Sequence, residues 1–291
     1  MNSVIQRFLL IAVLLSALSA CKKDDKPVVT GSRYISKVYE YQPAPGQFIN
    51  EEGTGTPANA QLLVGNTDHL VSLGAYGGYV TFGFDHAVQN SAGYDIAIYG
   101  NAIGGNTEWS EPGIVQVSRD ANGNGLPDDK WYELAGSAHD STATIKKYSI
   151  TYYNPKASTD VPWKDNQGRT GAVPYTSHVH NYYPAFAASQ DSITFTGTLL
   201  PNTLGLQPGT GIFINKSFAW GYSDSYSTVD AYGTNHYNSF DIDNAVDDNG
   251  QKATLTSVNF VRVYTGQNSP GDAQLGEIST EIAGATDLHI P

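Results

Sequence analysis

The sequence predicts an all-β fold, an antiparallel β-sandwich or jelly roll with long loops. The first observation is a series of short runs in which apolar and polar residues alternate, rich in β-branched and aromatic side chains. The second is that clusters of Gly, Asn, Asp and Pro separate these runs, as turns separate strands. The third is that no segment keeps a helical period with capping residues.

The predicted strands follow one another along most of the chain. In order they are YISKVYEY (34–41), YVTFGF (79–84), YDIAIYG (94–100), GIVQVSR (113–119), KWYELAG (130–136), KYSITYY (147–153), DSITFTG (191–197), GIFIN (211–215), NFVRVYTG (259–266) and LGEISTEI (275–282). Two stretches, about 154–190 and 216–250, lack this alternation and read as long loops. Long ordered loops on a sandwich are commonly where ligands bind. The composition does not change along the mature chain and no repeat is visible, so residues 33–291 are predicted to form one domain.

The amino terminus has the pattern of a lipoprotein signal peptide. Residues 1–20 hold Arg7 and then an apolar run that is too short for a comfortable membrane span. They end in Leu18-Ser19-Ala20 before Cys21, the single cysteine of the chain, as in a bacterial lipobox. An ordinary secretory signal is the alternative. We expect Cys21 to carry lipid, and residues 21–32, which begin with CKKDDK, to form a solvated tether.

The charge balance limits the classes of partner. Asp and Glu number 28 against 16 Lys and Arg, which gives a formal net charge of −12. Because nucleic-acid binding needs clustered basic residues, no nucleic-acid partner is expected. An acidic surface instead suits a soluble exterior domain and the binding of cations.

The segment SRDANGNGLPDDKWYE (118–133) resembles the first half of a calcium-binding loop. Its oxygen-bearing residues alternate around two glycines that permit a sharp turn. Trp131 stands where an EF-hand needs Glu, and the flanks read as strands, so a true EF-hand is excluded. The alternatives are a calcium loop outside the EF-hand class and an Asn-Gly hairpin turn with solvated acids. We favour calcium, with ligands from Asp120, Asn122, Asn124, Leu126, Asp128 and Asp129.

Two further groups of residues are weaker candidates for metal sites. A second acidic stretch could form another calcium site, although its Asp-Asn-Gly element favours a hairpin; it holds Asp241, Asp243, Asp247 and Asp248. The pair His178 and His180 has a spacing that could ligate zinc or copper, but no third ligand is evident from the sequence.

Aromatic residues in the long loops are candidates for contacts with a flat ligand such as a sugar ring. Aromatic faces supply contact area at low entropic cost. Packing of the same rings on the edge of the sandwich is an equal alternative. The candidate ligand-binding residues are Trp163, His178, His180, Trp220, Tyr222, Tyr226, Tyr232, His236 and Tyr237.

The sequence gives no motif that assigns catalysis. It has no G-x-S-x-G, no H-E-x-x-H and no phosphate-binding loop. A carboxylate pair for glycoside hydrolysis stays open, because many acids are present and no spacing selects two of them. No catalytic residue is therefore predicted.

The segments GGYVTFGFDHAV, GYDIAIYGNA and EPGIVQVSRDANGNGLPDDKWYELAGS, with SVNFVRVYTG and LGEISTEI later in the chain, resemble a family of Bacteroidetes cell-surface lipoproteins. The core of that family is similar to galactose-binding-like, or discoidin-like, jelly rolls. Its members often occur beside TonB-dependent transporters, including cobalamin-type uptake systems. The resemblance implies a calcium-stabilised binding module, anchored in the outer membrane and facing the exterior. Its expected ligand is a glycan or a cobamide-type molecule, and a TonB-dependent transporter is its expected partner. A glycan-active hydrolase and a structural or adhesion protein are the alternatives.

Overall fold

The computed structural model describes residues 31–176, 178–272 and 275–291 of the 291-residue chain. The strands are, in chain order, β1 Lys37–Gln42, β2 Val71–Ser72, β3 Tyr79–Gln89, β4 Ile96–Tyr99, β5 Gly113–Ser118, β6 Trp131–Leu134, β7 Ile145–Tyr153, β8 Val161–Asp165, β9 Thr170–Val173, β10 Ser192–Leu199, β11 Leu204–Leu206, β12 Phe213–Asn215, β13 Tyr237–Phe240, β14 Ala245–Val246, β15 Ser257–Thr265, β16 Glu281–Ile282 and β17 Gly284–Asp287.

The largest layer is a six-stranded antiparallel sheet in the order β1-β3-β15-β5-β6-β14. Its inner face is formed by alternate residues, such as Val80 and Phe82 on β3 and Val261 and Val263 on β15. Opposite this face lie the three-stranded sheet β13-β4-β17 and the pair β16-β2. Apolar residues of both layers, including Ile98 on β4, form one buried core. The period of two in the sequence thus produces the two faces of a sandwich.

A four-stranded antiparallel sheet, β10-β7-β8-β9, has a second core of its own. This core is aromatic: Tyr148 and Tyr152 on β7 and Phe195 on β10 are buried with Tyr76 from the loop before β3. The rings of Tyr76 and Tyr148 meet edge to face at 4.8 Å between centroids. Such contacts stabilise aromatic pairs beyond the burial of their area.

Helices are short in the described part of the chain. They are α1 Pro57–Gln61 and α2 Tyr232–Asn235, with single 3-10 turns at Gly105–Thr107, Ala185–Ala187 and Ile242–Asn244. The first begins with a capping box in which Thr56 and Asn59 satisfy each other's backbone N–H groups. Among residues 31–291 that the structure describes, no helix has the length and apolar character needed to cross a membrane.

The predicted fold class is confirmed, since most of the regular secondary structure is antiparallel strand and the sheets pack as a sandwich. The prediction that 154–190 is one long loop was wrong, because β8 and β9 lie within it. Likewise, β13 lies within the predicted loop 216–250. The predicted signal peptide 1–20, Cys21 and the tether as far as residue 30 lie outside the described residues.

Candidate functional site

A groove lies between the outer face of the six-stranded sheet and the edge of the four-stranded sheet. Its main cavity has a volume of about 960 Å³. Gln116 on β5 and Glu133 on β6 lie opposite each other in the strand register and form part of its floor. Thr196 and Thr198 on β10 form part of the facing wall. The neighbours of Glu133 and Gln116 in sequence face the apolar core, so the alternation of the strand directs these two side chains into the groove.

A charged cluster occupies the floor of the groove. Glu133 Oε1 lies 3.2 Å from His139 Nδ1 and 3.5 Å from Lys146 Nζ. The hydroxyl of Thr198 donates to Glu133 Oε2 at 2.8 Å. The side chains of Glu133 and His139 are 15 % and 9 % exposed, whereas that of Lys146 is 39 % exposed. The groove therefore has a largely buried anion at its base and a cation that reaches solvent.

The charges of this cluster are set by burial and by its own contacts. Burial alone would raise the pKa of Glu133, but hydrogen bonds with His139 and Thr198 and the charge of Lys146 bring that pKa below its usual range. Burial lowers the pKa of Lys146, and the attraction of Glu133 offsets this only in part. Glu133 is thus a fixed carboxylate at neutral pH, suited to accept hydrogen bonds from ligand hydroxyl or amine groups.

The groove continues into a smaller cavity of about 210 Å³, with which it shares Gln116 and Thr196. Arg262 lies at this end, stacked between the rings of Tyr79 and Trp131 at 4.5 and 4.4 Å. Its guanidinium also donates to Glu40 at 3.0 Å. Two cation–π contacts and one ion pair hold this side chain in place. The groove therefore has polar side chains on its floor and wall, and a stacked arginine in the smaller cavity beside it.

The predicted calcium loop is the hairpin loop between β5 and β6, where Ser118 pairs with Trp131. The carboxylate of Asp120 accepts backbone N–H groups from residues 123, 124 and 125 at 2.8 to 3.1 Å. Gly123 and Gly125 adopt φ values of 74° and 70°, in the left-handed region that favours glycine. The loop is thus wound around Asp120, as its alternating pattern implies.

The other predicted ligands of this loop are tied together by hydrogen bonds. The amide groups of Asn122 and Asn124 donate to the two oxygens of Asp128 at 3.1 and 2.9 Å. Asp129 accepts the N–H of Ala121, and Leu126 is exposed. The carboxylates of Asp120, Asp128 and Asp129 do not form one of the groups of closely spaced ligand atoms found among the described residues. A cation here would have to replace amide contacts to Asp128.

The second acidic stretch divides between two places. Asp247 closes a tight turn after β14 by accepting the N–H groups of Asn249 and Gln251, which agrees with the favoured hairpin. Asp247 and Asp248 line the rim of the groove. Asp241 caps the turn Ile242–Asn244, and Asp243 accepts from the amide of Asn90. In the part of the chain that the structure describes, these four carboxylates do not form a shared cluster.

The predicted aromatic platform does not form an open cleft. Tyr222 and Tyr232 are each only 3 % exposed and pack inside the protein, so the alternative of packing describes them and their assignment to ligand contact is corrected. Tyr226 packs against Tyr232, and Tyr237 packs against Tyr99. Three further predicted residues are dispersed: Trp163 packs on the core of the four-stranded sheet, Trp220 is half-buried beside Ser137, and His236 is exposed after α2. The imidazoles of His178 and His180 lie together, with ring centroids 6.0 Å apart. None of these predicted residues is among those that line the groove or the smaller cavity beside it.

A group of buried acids lies under the strand pair β16-β2. Glu111 accepts the N–H of Ser279 at 3.0 Å, and Asp224 accepts the N–H of Glu281 at 2.9 Å. Burial raises the pKa of Glu111 and of Asp224 well above the usual range, and raises that of Glu281 to about 7. Burial thus favours the neutral form of these carboxyls, and Glu111 and Asp224 accept backbone N–H groups of residues 279 and 281.

Sequence reasoning did not find the groove. Glu133, His139 and Lys146 come from one strand, the loop after it and the next strand, and Thr198 is far away in sequence. An acid at an outward position of a strand is ordinary, and the local signal available was only a charged residue in a half-buried strand. Comparison of the sequence with models of known protein families and with characterised proteins found no match.

Proposed function

We propose that this protein is a lipid-anchored lipoprotein on the exterior of the outer membrane, and that its groove binds an oligosaccharide for uptake. The groove is the observation that carries this proposal. Its volume of about 960 Å³ lies within the range of small-ligand sites, and the smaller cavity beside it adds about 210 Å³ of space for further sugar units. In this proposal the captured ligand passes to a TonB-dependent transporter.

The chemistry of the groove suits a ligand with many hydroxyl groups. Gln116, Thr196 and Thr198 offer both donors and acceptors, and Glu133 is a fixed acceptor. Tyr79, which is half-buried, lines the smaller cavity and provides aromatic surface. A cobamide-type ligand is the second candidate, because its amide side chains would use the same donors and acceptors.

Hydrolysis of a glycan is supported less well than binding. Glycosidases need one carboxyl that keeps its proton and can donate it to the leaving group. Burial by itself favours such a state for Glu133, but its partners lower its pKa, and two backbone N–H groups lower the pKa of Asp247. Glu133 and Asp247 are thus ionised near neutral pH, which fits binding rather than proton donation.

Calcium in the β5–β6 loop is part of the same proposal. The winding of that loop around Asp120 and its side-chain oxygens at alternate positions support it. The cation would stabilise a hairpin in a chain whose single cysteine leaves no disulfide to do so.

Isothermal titration of the purified full chain tests the function. The probes are cello-, xylo- and malto-oligosaccharides and cyanocobalamin. We expect saturable binding of one oligosaccharide class, lost in the double variant Gln116→Ala, Thr196→Ala. Thr170→Ala, an exposed threonine on β9 outside the groove, is the matched control and should bind as the unaltered chain does.

The other possible outcomes of these measurements decide the ligand class and the role of the groove. Binding of the cobamide alone would transfer the proposal to that ligand class. If the unaltered chain released reducing ends from an oligosaccharide and Glu133→Gln did not, the hydrolase would be supported instead. Binding that survives the double groove variant, or no binding of any probe, would refute the proposed role of the groove.

A further inference from the structure

Two loops that are far apart in sequence are fastened together beside the aromatic core. The amide nitrogen of Asn50 donates to the backbone carbonyls of Asn181 and Tyr183 at 2.7 and 2.9 Å. Its amide oxygen accepts the N–H of Ala185 at 2.8 Å. Asn50 itself has φ 70°, in the left-handed region. The chain before residue 51 and the segment around residue 180 therefore have a fixed relative position.

This junction places Glu51 beside two histidines. Glu51 Oε2 lies 2.9 Å from His178 Nδ1. The rings of His178 and His180 meet edge to face, with centroids 6.0 Å apart. One ligand atom from each of the three side chains can be chosen so that all three lie within 4.8 Å of one another. Phe48 and Tyr182 pack against the two imidazoles and restrict their orientation.

A second, independent observation is that one ring nitrogen of His180 lacks a hydrogen-bond partner in the part of the chain that the structure describes. Its Nε2 is shielded from solvent and has no hydrogen-bond partner within the described residues. A buried polar atom left in this way costs free energy that a bound ligand would recover. The side chains of Glu51 and His178 are 39 % and 27 % exposed, so an ion can reach the cluster from solvent.

We propose that Glu51, His178 and His180 bind a zinc ion and leave one coordination position open. Two imidazoles and a carboxylate form a ligand set that zinc takes with a water in the fourth position. Ligand atoms in a tetrahedral zinc site are about 3.3 Å apart, so the present set is wider by at most roughly 1.5 Å, within reach of side-chain rotation. Calcium and magnesium prefer oxygen ligands and would not select this pair of imidazoles.

The zinc site is separate from the groove and does not depend on the proposed function. None of its three residues lines the groove as described. Zinc would connect the two loops that Asn50 already joins. Its open position would accept water or an anionic or nitrogen donor from a ligand, which gives the surface a second binding point.

Metal titration of the full chain tests the site. After removal of metals with a chelating resin, zinc chloride is added and heat is measured at neutral pH. We expect one ion per chain, with affinity lowered by more than about 100-fold in His178→Ala and in His180→Ala, since even supporting contacts can contribute that much. Calcium chloride should give no heat that these variants remove. Cobalt(II) added instead should produce the visible absorption of a four- or five-coordinate ion.

Matched controls separate ligation from folding. His69→Ala and His236→Ala remove exposed imidazoles outside the cluster and should bind zinc as the unaltered chain does. Glu51→Gln keeps the size of the side chain and should weaken zinc binding while leaving the melting temperature in EDTA unchanged. Absence of zinc binding, or equal affinity in His180→Ala and His69→Ala, would overturn the assignment. If one variant does not fold, the cobalt spectrum of the unaltered chain still tests the site, because absence of the visible band would contradict it.

Discussion

Replacing Glu277 by glutamine should change how the stability of this protein depends on pH. Glu277 is only 2 % exposed. Its Oε1 accepts the N–H of Gln47 at 2.9 Å, and its Oε2 has no partner within the described residues. A carboxylate in this position would be a buried charge with one compensating hydrogen bond. Burial accordingly raises the pKa of Glu277 from 4.5 to about 8.

The sign and size of the effect follow from proton linkage. Between the ordinary pKa and about 8, the folded state holds a proton that the unfolded state releases, so stability falls as pH rises. One group contributes at most about 1.4 kcal/mol per pH unit over this window. Between about pH 5 and pH 8, the unaltered chain should therefore lose roughly 3–4 kcal/mol through Glu277. Glutamine has the same shape as the neutral acid and does not titrate, so this part of the loss should disappear.

Urea unfolding at a series of pH values measures the difference. The unfolding free energy of Glu277→Gln should fall less steeply with pH than that of the unaltered chain. Some slope should persist, because the pKa of Glu281 is also raised by burial, to about 7. Glu52→Gln removes an exposed carboxyl and should keep the original slope. Equal slopes for Glu277→Gln and the unaltered chain would refute the reasoning, since they would mean that Glu277 titrates alike in both states.

Three other predictions concern the proposed calcium site in the β5–β6 loop, the groove and the core. The melting temperature should rise by several degrees from EDTA to excess calcium, and Asp120→Ala should abolish that rise, as followed by circular dichroism. Glu133→Gln should lower the unfolding free energy by roughly 1–3 kcal/mol in urea, because it removes the carboxylate charge that lies 3.5 Å from Lys146; adding Lys146→Met should restore part of the loss. Phe82→Ala should cost about 3–5 kcal/mol in the same assay, because Phe82 is fully buried in the central strand β3.

Each of these three predictions would be contradicted by a particular result of its melting or unfolding measurement. If calcium raised the melting temperature of Asp120→Ala as much as that of the unaltered chain, the ion would bind elsewhere. If calcium raised the melting temperature of neither, the proposed site in this loop would be wrong. Additive losses in the Glu133 and Lys146 variants would show that the two side chains do not interact. A cost for Phe82→Ala no larger than that of Leu62→Ala, whose side chain is 42 % exposed, would contradict the assignment of the core.

The strands that the sequence located well are those with a strong local pattern. The predicted run GIVQVSR corresponds to the strand Gly113–Ser118, and KYSITYY covers most of the strand Ile145–Tyr153. In these runs every second residue is apolar and β-branched or aromatic, and this alone selects an extended chain with one buried face. The strands Val161–Asp165 and Thr170–Val173 were missed because proline, lysine and glycine interrupt the alternation. Pairing with neighbouring strands stabilises them instead: Val161–Asp165 pairs with β7, and Thr170–Val173 pairs with Val161–Asp165.

The predicted site residues divide in the same way, into those that a local pattern identifies and those that depend on residues distant in sequence. The β5–β6 hairpin loop was predicted from its glycines and alternating oxygens, because a turn depends on contacts within a few residues. The acceptance of backbone N–H groups by Asp120 was not predicted. The burial of Tyr222 and Tyr232 was not visible, since an aromatic residue has the same local signature in a core and in an open cleft. The partner of His178 and His180 was also hidden, because Glu51 lies more than a hundred residues earlier.

The sequence by itself determined the class of fold, the positions of most long strands and the hairpin loop rich in oxygen-bearing side chains. These depend on period, β-propensity and turn chemistry, which act over a few residues. Only the tertiary structure decided where charged side chains meet: Glu133 with His139, Lys146 and Thr198 in the groove, and Glu51 with the two histidines. The physical reason is that packing of sheets sets which outward positions face one another, and no local pattern encodes that distance.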